Sequence, residues 1–75
     1  MKDDIYIIIR DNIKKYREEL GYSIKDLSIC TNIDFKYLED IEKNGVDENI
    51  TFETLNKICN CLNISMSKLF KKSDD

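Results

Sequence analysis

Between Ser23 and Asn44 the chain reads Ser-Ile-Lys-Asp-Leu-Ser-Ile-Cys-Thr-Asn-Ile-Asp-Phe-Lys-Tyr-Leu-Glu-Asp-Ile-Glu-Lys-Asn, and this stretch restricts the fold more than any other. Ser23 stands where a helix N-cap belongs, with Asp26 three positions on, close to capping-box spacing and favourable for the helix dipole. A short amphipathic helix is predicted from Ile24 to Thr31, with Leu27 and Cys30 or Thr31 facing inward. Asn32 and Ile33 make the turn, Ile33 filling the angle between two helices. Asp34 caps a second short helix that runs to Lys43 with Tyr37, Leu38 and Ile41 as its apolar positions, and Asn44-Gly45 ends it. A joint of about four residues leaves the second helix little freedom of direction relative to the first.

The flanking sequence supplies a body for this pair. Ile5, Ile9, Ile13, Tyr16 and Leu20 recur at helical spacing and form one stripe that stops at Gly21, with Asp3 or Asp4 as the cap. The run Ile5 to Ile9 also favours a strand; read as helix, it leaves Tyr6, Ile7 and Ile8 to cover a partner or the last helix of the same chain. The loop from Asn44 to Ile50 carries Asp47 and Glu48 and is expected to be solvated. Thr51 caps a fourth helix with Phe52, Leu55, Ile58, Cys59 and Leu62 as its core stripe, closed by Asn63. Ser65 caps a fifth, whose Met66, Leu69 and Phe70 fold back on the core. Residues 73–75 read as a frayed tail after a single domain spanning residues 1–72.

Seventy-five residues allow one domain, near the lower limit for a core without covalent or metal support. Hydrophobic residues at 41% and charged residues at 36% fit an ordinary globular chain. No apolar run approaches the ~20 residues of a membrane span. Lys2 is followed at once by Asp3 and Asp4, unlike a secretory signal, so a cytoplasmic protein is expected. Cys30, Cys59 and Cys61 match no zinc spacing in a chain without histidine, and Cys59 and Cys61 diverge by about 200° around a helix. Reduced core thiols are the expectation. Without histidine, proline or a glycine-rich loop, the usual parts for acid-base, nucleophilic or phosphate chemistry are missing, and the chain reads as a non-enzyme with no cofactor, metal or small-molecule substrate.

Taken in order, these signals resemble the lambda-repressor-like, XRE-type helix-turn-helix family over residues 9 to 70. The matching features are Ile13 with Arg17, Leu20-Gly21-Tyr22-Ser23, Asp26-Leu27, Asn32-Ile33-Asp34, Tyr37-Leu38, Ile41-Glu42, then Phe52 to Ile58, Leu62 to Ser65 and Leu69-Phe70. The resemblance implies an all-α, compact five-helix DNA-binding domain with the helix-turn-helix formed by helices 2 and 3. It implies a regulator of the Cro-like, restriction-modification controller or conjugative-element type, binding double-stranded DNA as a homodimer. Arg17 and Glu42 match an ion pair tying the recognition helix to the scaffold. Ser23 and Lys25 match a phosphate contact at the start of helix 2. Phe35, Lys36, Glu39 and Asp40 match base-reading positions, while Lys43 and Asn44 match backbone contacts; the Tyr37 hydroxyl is a further candidate for a phosphate.

Two departures bear on that reading. Ile24 stands where the family often has a glutamine that donates to phosphate. From Ser23 to Glu53 there are eight carboxylates against three lysines, a net of −5, leaving +2 for the remainder. Phosphate neutralisation supplies most non-specific DNA affinity, so a monomer of this charge is expected to bind weakly. Lys36 suits guanine O6 and N7, Glu39 and Asp40 suit cytosine N4, and Phe35 suits a thymine methyl or a protein interface. The alternative is a helix-turn-helix scaffold serving as a protein-binding module, antirepressor-like or antitoxin-like, through its acidic third helix.

Overall fold

Each helix starts at a side-chain cap that the local sequence provides. The computed structural model describes residues 4–72, in which α1 (Ile5–Glu19), α2 (Ile24–Thr31), α3 (Phe35–Asn44), α4 (Phe52–Leu62) and α5 (Met66–Phe70) follow one another. Asp4, Ser23, Asp34, Thr51 and Ser65 each accept a hydrogen bond from a backbone N–H of the first turn they precede, satisfying donors that a helix cannot satisfy itself. Asn32 and Asn63, both in the left-handed region, end α2 and α4. Asp3 and the tail at 73–75 lie outside the described residues.

The helices pack around Ile9, Ile13, Leu27, Leu38, Ile41, Val46, Leu55, Ile58, Cys59, Leu62 and Leu69. Helix α1 lies against α3 and α5, and α2 lies against α3 and α4. The Ile5 to Ile9 run is helical; Ile9 and Ile13 reach the core as their spacing predicts, whereas Ile5, at the first position of α1, stays exposed. No described helix is long and apolar enough to cross a membrane.

Several expectations are corrected by packing. Phe52 is 70% exposed, because it occupies the first position of α4 and projects beyond the layer that covers Leu55 and Ile58. Leu20 and Phe70 are also exposed, each at or just past a helix end. The acidic loop is solvated at Asp47, Glu48 and Asn49, but Val46 is buried. Gly45 makes this entry possible: its φ of +93° suits glycine, and a Cβ there would meet Ile7 Cδ1 at 3.1 Å.

The cysteines differ most from expectation. Cys30 and Cys61 form a disulfide between α2 and α4, with Cα atoms 6.0 Å apart, and only Cys59 is a buried free thiol. Burial raises the pKa of Cys59, keeping it neutral against the Met66 sulfur at 3.8 Å. Of the two candidates for the inward side of α2, Thr31 is buried and Cys30 is exposed. Helix periodicity allowed either; Thr31 turns into the interior, where its hydroxyl meets the Leu27 carbonyl, while Cys30 lies at the rim of the α2–α4 contact and reaches Cys61 there.

Candidate nucleic-acid interface

The angle between α2 and α3 is held by hydrogen bonds made within the turn. Ser28 Oγ donates to the Ile33 carbonyl, Thr31 Oγ1 donates to the Leu27 carbonyl at 2.7 Å, and the Ile33 N–H donates to Thr31 Oγ1 at 3.2 Å. Ile33 is half-buried against the core, as its place in the turn predicts. The sequence offered Thr31 only as an inward position and gave Ser28 no role. Their signal was available, namely two hydroxyl residues in the last turn before a left-handed asparagine.

A second restraint comes from α1. Arg17 Nε lies 2.7 Å from Glu42 Oε2 and Nη2 lies 2.9 Å from Oε1, while Nη1 donates to the Tyr22 carbonyl at 2.6 Å. Donating to the Glu42 carboxylate raises the pKa of the guanidinium further, so Arg17 stays charged under all ordinary conditions. Glu42 therefore points into the scaffold, as the resemblance implied.

With Leu38, Ile41 and Glu42 turned inward, the outer face of α3 carries Lys36, Glu39, Asp40, Lys43 and Asn44, all exposed and lining one shallow depression. Asp40 Oδ1 accepts from Asn44 Nδ2 at 2.7 Å, an interaction one turn long within the same helix. Among the described residues no carboxylate pairs with Lys36 or Lys43. Phe35, 39% exposed, opens the helix beside this face. Tyr37 instead turns partly inward against the core, where burial first and then Asp47 and Asp40 raise its phenol pKa.

Ser23 and Lys25 are exposed at the start of α2 and do not line the depression on α3. Ser23 closes a full capping box: its Oγ accepts from the Asp26 N–H at 3.0 Å, and its own N–H donates to Asp26 Oδ2 at 2.9 Å. That backbone hydrogen bond, followed by the hydroxyl, holds the Asp26 carboxyl below the usual range. Ile24, the departure at the second position, is half-buried against the core. Its side chain serves packing.

A five-helix body that holds α3 outward by a pinned turn and an ion pair is a helix-turn-helix domain of the XRE type. The chain belongs to the helix-turn-helix domain family, whose model matches residues 11–74. It is similar to the HTH-type transcriptional regulator SinR of Bacillus licheniformis, 32% identical over 68 residues that make up 91% of this chain and 60% of that protein. The chain thus spans about three fifths of the length of this relative. Its structure is similar to the N-terminal DNA binding domain of SinR from Bacillus subtilis, with a TM-score of 0.78 and 31% identity over 91% of this chain and 97% of that one. It is also similar to the wild-type restriction-modification controller protein C.Esp1396I, with a TM-score of 0.77 and 30% identity over 92% and 87% of the two chains.

Proposed function

We propose that this chain is a sequence-specific transcriptional regulator that reads an operator in double-stranded DNA with α3, as a homodimer working in the cytoplasm. One observation carries the reading. The face made by Lys36, Glu39, Asp40, Lys43 and Asn44 is held rigidly outward, and no carboxylate neutralises either lysine. Lys36 donates to a guanine edge, Glu39 accepts from cytosine N4, and Lys43 and Asn44 meet phosphate at the far end of the helix. Phe35 packs on a thymine methyl, Ser23 and Lys25 meet phosphate from α2, and Asp40 reads a base after releasing Asn44.

The action is occupancy of the operator, without catalysis, cofactor or small-molecule substrate. The names of the relatives, a transcriptional regulator and a controller protein, support the same class. Two protomers place two copies of α3 on half-sites one helical turn apart. Ile5 and Tyr6 on α1 and Phe70 on α5, exposed on two helices that pack together, supply apolar area for that pairing.

The −5 charge of residues 23 to 53 favours a second reading, in which the same face binds a basic protein surface. A titration with DNA from upstream of the chain's own gene, at low and physiological salt, separates the two. Under the regulator reading Lys36→Ala costs about 1–3 kcal/mol and relaxes discrimination at one base pair. Equal affinity for random DNA of the same length would count against it.

A further inference from the structure

Cys30 and Cys61 lie near the C-terminal ends of α2 and α4, 31 residues apart in the chain, and line an open groove of about 460 Å3 with Thr31, Asn32, Lys57 and Asn60. Cys30 is exposed and Cys61 half-buried, so a small thiol reaches the bond from solvent. Neither belongs to the buried core, and no buried side-chain nitrogen or oxygen among the described residues lacks a hydrogen-bond partner. The crosslink therefore joins two helix surfaces at the edge of the core and is not part of its interior. Cys59, two positions from Cys61, is sequestered on the other side of α4 among core residues.

We infer that Cys30 and Cys61 form a reversible thiol–disulfide modification site that sets the stability of the helix-turn-helix according to the redox state of the surroundings. The co-reactant is a low-molecular-weight disulfide such as oxidised glutathione. The Cys30 thiol loses its proton to solvent, and the thiolate attacks one sulfur of the co-reactant, forming a mixed disulfide and expelling one small thiolate. The Cys61 thiolate then attacks the Cys30 sulfur, closes the protein disulfide and expels the second. Both expelled thiolates take up protons, so the protein loses two electrons and two protons and the co-reactant gains them. Excess small thiol reverses both steps.

Both cysteines sit near helix C-termini, on the rim of a groove that Lys57 and Asn60 also line. The closed form joins the last turn of α2, beside the turn into α3, to α4. Constraining a loop of this length in so small a domain changes stability substantially. The inference does not depend on what α3 binds.

The test equilibrates the full chain in buffers of reduced and oxidised glutathione, quenches with iodoacetamide, and follows intact mass, crosslinked peptides and Tm. The expected result is a single step in which the protein loses two alkylatable thiols together and yields one crosslinked peptide pair containing Cys30 and Cys61. Cys59 is alkylated only after unfolding, and the oxidised form melts roughly 10–20 °C above the reduced form. Cys30→Ser and Cys61→Ala each abolish the step and melt like reduced wild type. A Cys59–Cys61 or intermolecular link, a persistent glutathione adduct, a bond that resists native reduction, or equal Tm values for the two forms would overturn the inference.

Discussion

Arg17 on α1 and Glu42 on α3 form a bidentate ion pair, 2.7 and 2.9 Å, with side chains only 11% and 7% exposed. Placing two charges out of water is expensive, and the attraction repays it only in good geometry. The pair therefore contributes direction to α3 more than net stability. Glu42→Ala, which strands the guanidinium, is expected to cost about 3 kcal/mol in urea denaturation, whereas Arg17→Met with Glu42→Leu recovers most of that loss. A double variant as unstable as the single one would show that the charges themselves hold the fold.

Glu39 and Asp40 share their face with Lys36 and Lys43. Removing their charge leaves the scaffold untouched and weakens repulsion of phosphate. Glu39→Gln with Asp40→Asn is expected to bind random duplex DNA roughly threefold to tenfold tighter at low salt, with the gain shrinking at physiological salt. Fluorescence anisotropy with a labelled duplex measures both. An unchanged random-DNA affinity would place the face away from the duplex.

Asn12 is buried on α1, and its Nδ2 donates to the carbonyls of Leu69 at 2.7 Å and Lys71 at 2.8 Å, with Lys68 further away at 3.3 Å. One amide thus satisfies carbonyls that the end of α5 leaves open. Asn12→Ala is expected to cost about 1–3 kcal/mol and to speed amide exchange in α5 before any other helix. Uniform acceleration across all five helices would mean that α5 has no separate dependence on this contact.

The depressed pKa of Asp26 sets an acid dependence. In the unfolded chain this carboxyl titrates near an ordinary value of about 3.9, and in the folded protein it titrates lower. Between those values the unfolded state binds more protons, so the capping box stabilises fully above about pH 4 and loses that contribution as pH falls through the folded value. Tm measured from neutral to strongly acid pH should fall less steeply below pH ~4 for Asp26→Asn than for wild type. Parallel curves would remove the capping box from the acid response.

Ser23, Asp34, Thr51 and Ser65 announced four helix starts because a cap acts within its own first turn, so three or four neighbouring residues contain all the information. The spacing of Ile9, Ile13, Leu38, Ile41, Ile58 and Leu62 likewise gave the inward faces, since a helix fixes which positions align. The Arg17–Glu42 pair was legible only through resemblance to a family; nothing in the spacing of two residues 25 apart implies contact. Within the site, the exposure of Lys36, Glu39, Asp40 and Lys43 followed from the burial of Leu38 and Ile41 on the same helix.

Other features needed the assembled fold. Phe52 and Phe70 satisfy helical periodicity yet face solvent, while Val46 leaves an acidic loop to enter the core, because an apolar residue is buried only where another element arrives to cover it. Asn12 reaches carbonyls 56 to 59 residues away, and Cys30 finds Cys61 across a separation of 31. Local sequence thus set the helices, their ends and their apolar sides, through forces that act over one or two turns. The packing of α1 on α5 and of α2 on α4 chose which distant groups meet, since that depends on the relative placement of whole helices, which no short stretch encodes.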